Sequence, residues 1–194
     1  MRKRLLAPAA AVLLTATLGS AAAAPEPPEC VVAARWVQVH RGSLPTTLGE
    51  FSRYSILYRR AIYDVLPPAT REAMWREHLE GFLRSGQPFN EPQRAAIREA
   101  IAQLPAYIGA KPEKASAEAL RVHWRTVFDP PTIKRVFGTL GPVPPRDAAK
   151  ARQPECNCES DWDCGESTCR FTRCSFTTGC GPFWDHLCTG FCHA

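Results

Sequence analysis

Eight cysteines crowd the end of this 194-residue chain, at Cys156, Cys158, Cys164, Cys169, Cys174, Cys180, Cys188 and Cys192. Thiols at that density can bridge, ligate a metal or act as nucleophiles. Structural metal sites favour paired C-x-x-C knuckles, and the tail has none. Cys180 with His186 could form a thiol–imidazole pair, but a bridged cysteine cannot serve as its thiolate. Disulfides need an even count, a short domain and an oxidising compartment, and the 39 residues from Cys156 to Ala194 meet the first two. Their apolar residues are few: Trp162, Phe171, Phe176, Phe183, Trp184, Leu187 and Phe191. So small a core cannot offset chain entropy without staples, each contributing roughly 2–4 kcal/mol. Eight cysteines allow about 105 pairings, and spacing does not choose among them. The ninth, Cys30, is either a free thiol or a tie to another cysteine or chain.

Other chemistry in the tail is sparse. Asp161, Asp163 and Glu166 alternate around Gly165 as an oxygen-rich calcium loop would, but the full loop signature is missing, so solvated acids are expected. Arg170 and Arg173 form a basic loop of the kind an inhibitor presents to a protease. Phe183, Trp184 and Phe191 are candidate contacts with a target; otherwise they fill the tail's small core. Upstream, Glu77-His78 lacks the second histidine of a zinc-protease helix. His78 and His123 read as helix-surface or core residues. No G-x-S-x-G elbow or phosphate-binding glycine loop occurs. The expectation is no enzyme, no cofactor and no metal.

The N-terminus sets the compartment. Arg2, Lys3 and Arg4 precede an apolar run from Leu5 to Leu18, then the small residues Gly19 to Ala24. That order reads as a cleaved secretory signal over residues 1–24, and the 14-residue run is short of the roughly 20 a membrane anchor needs. The mature chain is therefore expected outside the cell, where disulfides persist. Net charge divides as +3 in the signal, +5 over residues 25–150 and −3 over residues 151–194. Scattered arginines without a concentrated basic face argue against nucleic acid.

A helical domain over residues 25–140 has to carry this tail. Leu48, Phe51, Tyr54, Ile56, Leu57, Tyr58, Ala61, Ile62 and Leu66 give an apolar face ended by Pro67-Pro68. Further helices are predicted from Pro68 to Arg84, from Asn90 to Leu104, from Pro112 to Phe128 and from Pro131 to Phe137. Asn90 and Gln93 form a capping box, Pro105 ends that helix, and Gly138 closes the last one. The segment Val31 to His40 is read as helix. Trp36, Trp75, Trp124, Tyr54 and Tyr58 fall on apolar stripes and are expected in the core. Residues 141–155, GPVPPRDAAKARQPE, read as a semi-extended linker. There Arg146, Lys150 and Arg152 are candidate processing sites for a trypsin-like protease. The mini-domain of residues 156–194 is expected to hold loops and short antiparallel strands, with turns at Thr177-Thr178-Gly179 and Cys180-Gly181-Pro182.

Cys156-Asn157-Cys158, Ser160-Asp161 before Cys164, Cys174-Ser175, Thr178-Gly179-Cys180-Gly181, Trp184 and Cys188 stand in one register. In this pattern the tail resembles the fulvocin C bacteriocin family. Upstream, Tyr58-Arg59-Arg60-Ala61-Ile62-Tyr63, the Trp75 helix and the Asn90-to-Gln93 helix start are similar to fulvocin C-related precursors. The resemblance implies a secreted antibacterial protein or precursor, its helical region a pro-domain or carrier and its tail the active unit. Expected partners are a target on other bacterial cells, signal peptidase and a linker-cleaving protease. The opposite charges suggest that the basic domain holds the acidic tail by long-range attraction. A −3 tail lacks the cationic amphipathic surface of membrane-lysing peptides, so a specific envelope target is expected. The alternative is a secreted disulfide-rich binding module or protease inhibitor without antibacterial activity.

Overall fold

The computed structural model describes residues 29–108, 114–143, 155–156, 168–171, 177–184, 186–188 and 190–193. This part of the chain is mainly helical, with seven α-helices before residue 140 and five short strands after 154. Among the described residues no helix is long and apolar enough to cross a membrane.

Helix α1 (Glu29–Val39) buries Cys30, Ala33 and Val37, spaced to share one helix face. The apolar face from Leu48 to Leu66 divides into α2 (Leu48–Phe51) and α3 (Ile56–Val65). The interruption has a cause in hydrogen bonding. The carbonyls of Ser52 and Tyr54 accept from the Arg59 guanidinium, so this turn is satisfied by a side chain where a continuous helix would use its own ladder. Helix α4 (Pro68–Arg84) has Pro68 in its first turn, where a missing N–H removes no helical bond. It buries Met74, Trp75, His78 and Leu79.

Helix α5 (Glu91–Tyr107) opens on the expected capping box. The Gln93 N–H donates to Asn90 Oδ1 at 3.0 Å, and the Asn90 N–H donates to Gln93 Oε1 at 3.1 Å. Its end departs from expectation, because the helix runs past Pro105 to Tyr107. A proline in the last turn removes one backbone bond, while Tyr107 beyond it is buried and the Ile108 N–H still reaches the Leu104 carbonyl at 2.9 Å. Helix α6 spans Lys114–Val127, and α7 spans Pro130–Phe137. Asp129 caps α7 by accepting from the Thr132 N–H at 2.7 Å, and the Gly138 N–H closes it on the Lys134 carbonyl. The Trp124 and Phe137 rings stack at 3.8 Å and 7°, fixing α6 on α7. Trp75 and Trp124 are buried as expected, whereas Trp36 is partly exposed and stacks on His40.

The tail strands are β1 (Glu155–Cys156), β2 (Thr168–Phe171), β3 (Thr177–Cys180), β4 (His186–Cys188) and β5 (Gly190–His193). β5 pairs antiparallel with both β1 and β2, putting Cys169 opposite Cys192 in register. β3 and β4 form a hairpin whose register shifts at Gly179. Between these two strands the chain makes a knuckle, Gly181-Pro182-Phe183-Trp184. That knuckle leaves the tail and enters the helical core.

Candidate functional site

Helix α3 carries Tyr58-Arg59-Arg60-Ala61-Ile62-Tyr63, and both arginines are buried, Arg59 completely. Long cationic side chains seldom bury fully unless their donors are satisfied. The Arg59 fork reaches backbone carbonyls on two distant segments. Nε donates to Tyr54 O at 2.8 Å and Nη2 to Ser52 O, while Nη1 donates to Leu140 O at 3.2 Å and Pro142 O at 2.7 Å. The planar five-donor group suits such a cage, which a lysine could not fill. Arg59 thereby pins the segment Leu140 to Pro142 to the turn before α3.

One residue on, Arg60 lies across Gly179. A Cβ at Gly179 would sit 2.5 Å from the Arg60 side chain, and the backbone there has φ +125°. Glycine is required at that position for both reasons.

Tyr63, one turn after Arg59, receives the knuckle itself. Its hydroxyl donates to the Phe183 carbonyl at 2.9 Å and accepts from the Trp75 indole N–H at 3.1 Å. The Trp184 indole N–H donates to the Gly138 carbonyl at 3.0 Å, at the C-terminus of α7. Phe183 and Trp184 are 0% and 1% exposed and belong to the same apolar cluster as Trp75, Trp124 and Phe137. Edge-to-face contacts join Phe183 to Trp75 at 5.4 Å and to Trp124 at 5.7 Å, and Trp184 to Tyr63 at 5.3 Å. Edge-to-face packing suits aromatic quadrupoles and contributes about 0.5–1.5 kcal/mol per pair beyond burial.

The knuckle backbone is under strain. Phe183 has φ 55° and Trp184 φ 57°, two successive bulky residues in the left-handed region. Each such residue costs on the order of 1–2 kcal/mol. That conformation persists because two buried rings and two side-chain hydrogen bonds to the helical domain hold it.

His78 on α4 ties the same neighbourhood together. Nε2 lies 3.1 Å from the Val136 carbonyl, and the Gly141 N–H donates to Nδ1 at 3.3 Å. This pairing requires the neutral ring with its proton on Nε2. Burial drives its pKa from 6.5 down to about 4, although the backbone carbonyls of Val136 and Arg135 partly oppose the shift. An open groove of about 850 Å³ borders His78, Phe82, Lys134, Arg135 and the anchored linker start at Gly141 to Val143.

The covalent pattern also reaches across the molecule. Cys30 and Cys180 are each disulfide-bonded, so Cys180 offers no thiol to His186. Nine cysteines are an odd number. At least one therefore stays outside any bridge within the chain, and it is neither Cys30 nor Cys180.

Of the residues singled out in the sequence, Phe183 and Trp184 are core residues in the intact chain, where a surface contact with a target was expected. Nor do they plug a core of the tail's own: the helices supply the rings around them. Phe191 lies in β5 opposite Arg170 of β2. Cys156, Cys169, Cys188 and Cys192 fall in strands. Cys158, Cys164, Cys174, Arg173, the acidic run Asp161 to Glu166 and the candidate cleavage residues Arg146, Lys150 and Arg152 lie outside the described residues. Among the described residues no cluster of three or more His, Cys, Asp or Glu side chains could hold a metal. Sequence reasoning passed over Arg59, Arg60 and Tyr63 as holders of the tail. Their signal was two adjacent arginines set inside an apolar helical stripe.

Comparison with family models, with curated proteins and with solved structures finds no match to this chain.

Proposed function

We propose that this chain is a secreted, bacteriocin-like antibacterial protein made as a precursor, its helical region a sheath for the eight-cysteine tail. The observation that carries this reading is the seat of Phe183 and Trp184. The aromatic pair best suited to grip a target is hidden in the helical core, its backbone pinned by Tyr63 and its flank covered by Arg60. A precursor that keeps its contact residues out of reach is silent until the pair is withdrawn. The signal-like N-terminus supplies export, and the basic residues of the linker supply a place to cut.

In this reading the tail is a disulfide-rich unit of loops and short antiparallel strands that, once exposed, binds one component of a competitor's envelope. Its net charge of −3 favours such recognition over bulk disruption of anionic lipid.

The test is growth inhibition of a panel of bacteria by the purified, oxidised mature protein in three forms: intact, cut in the linker, and cut in a Cys30→Ser variant that lacks the bridge from α1. We expect inhibition of some strains, at least tenfold stronger for the cut Cys30→Ser form, whose aromatic pair is retained by packing alone, than for the intact protein. No inhibition by any form at micromolar concentration would sink the antibacterial reading. Equal inhibition by all three would remove the sheath from it.

A further inference from the structure

We infer that cutting the linker does not free the tail, because two locks independent of the linker hold it to the helical domain. The first is covalent. Cys30 stands at the start of α1 and is disulfide-bonded. Every other cysteine of the chain lies at position 156 or beyond, so this bridge joins α1 to the tail. Helix α1 packs in turn on α3, the helix that receives the knuckle. The second lock is packing: Phe183 and Trp184 sit fully buried among Trp75, Trp124 and Tyr63, with Trp184 bonded to Gly138 and Tyr63 to Phe183.

The locks open by different means. A linker protease touches neither. The covalent lock yields to an external dithiol. Its thiolate attacks one sulfur of the Cys30 bridge, and the other sulfur leaves as a thiolate and takes up a proton. The second thiol then attacks the mixed disulfide, closing the reductant's own ring and releasing the remaining cysteine. The bridge gains two electrons and the dithiol loses two. The packing lock yields only when the aromatic pair leaves the core.

A cut molecule is therefore a two-chain protein, and separation of the tail requires a thiol reductant as well as a protease. The inference goes beyond the antibacterial reading and holds whatever the tail binds.

The experiment uses the full mature protein, produced under oxidising conditions, with a site for a sequence-specific protease placed in residues 144–154. After cutting, its composition is read by size exclusion in native buffer and by mass spectrometry in denaturant. Both measurements are made with and without dithiothreitol. We expect one particle in native buffer in both states, one covalent mass in denaturant without reductant, and two masses with it. A Cys30→Ser variant should give two masses in denaturant without reductant while staying one particle in native buffer. Separation of the unreduced wild type in denaturant would overturn the covalent lock. Separation of the Cys30→Ser variant in native buffer would overturn the packing lock. Neither readout involves killing, so failure here is distinguishable from failure of the antibacterial assay.

Discussion

Helices α3 and α5 solve opposite problems. Helix α5 buries Ala96, Ile97, Ala100 and Leu104, apolar residues at helical spacing packed chiefly against the preceding α4, and ends on the buried Tyr107, whose ring meets Phe183 at 5.8 Å. Helix α3 buries Arg59, Arg60 and Tyr63 together with Ala61 and Ile62. Its polar side chains reach Leu140, Pro142, Gly179 and Phe183, 80 to 120 positions away in sequence. Apolar burial suffices where neighbours arrive as finished helices. A helix that must catch bare backbone needs donors, because the carbonyls it buries would otherwise be unsatisfied. The contrast is one of degree: α5 is mainly scaffold and α3 mainly receptor.

The sharpest way to break that contrast is to remove the ring at its centre. Trp184→Ala should destabilise the protein by about 3–5 kcal/mol, the usual loss for a buried aromatic, read from urea unfolding. Ile97→Ala on α5 should cost about 2–5 kcal/mol by the same measure. The two should differ in where the damage appears. Trp184→Ala should make the tail sensitive to protease at concentrations that leave the Ile97→Ala tail intact. Equal protection of the tail in both variants would mean that the knuckle is not held by the core.

Acid should weaken the fold through His78, which joins α4 to Val136 and Gly141. His78 titrates near 6.5 when unfolded and at about 4 when folded. Between those values the unfolded chain binds more protons, so stability falls as pH drops from 6.5 towards 4. The total loss is about 3 kcal/mol, and above pH 6.5 His78 contributes no pH dependence. Urea unfolding at pH 7, 5.5 and 4 measures it, with His78→Gln as the reference that subtracts the carboxylates. A wild-type profile no steeper than that of the variant would remove His78 from the account.

Arg59→Lys keeps the charge and loses the fork. At least one of the four carbonyls at Ser52, Tyr54, Leu140 and Pro142 would then lack its donor. The expected loss is about 1–3 kcal/mol, with faster amide exchange at residues 139–143 as its local mark. Unchanged exchange there would show that the linker start is held without the guanidinium.

The same division explains what the sequence disclosed. Asn90 with Gln93, Pro68 in a first turn, Gly138 at a helix end and the stripe through Ile97 are local rules, and each produced the element expected of it. The split of the Leu48-to-Leu66 face was not legible, because the group that breaks it, the Arg59 fork, also serves Leu140 and Pro142. Pro105 gave a stop signal that the burial of Tyr107 overrode. Phe183 and Trp184 stood out as aromatic residues in a poor core, but their ring partners lie on α2, α3, α4, α5, α6 and α7. Nothing in the spacing of the tail points there. Cys30 was ambiguous for the same reason: pairing is a long-range fact. Local chemistry was readable, and contacts across 80 residues or more were not.

The smallest expected effect calibrates the scaffold side. Asn90→Ala removes the side-chain acceptor for the Gln93 N–H and leaves Gln93 with half of the reciprocal pair. Loss of such a cap costs about 1 kcal/mol, read as a shift in the urea midpoint with no change in slope. Tyr107, the α5 residue that meets Phe183, lies at the opposite end of the helix from Asn90, so the damage should stay at the first turn of α5 and its contact with the Val127 carbonyl. Tail protection and exchange at residues 139–143 should match the wild type. If a capping defect at Asn90 also loosened the tail, α5 would belong to the receptor, and the line between the two helices would have to move.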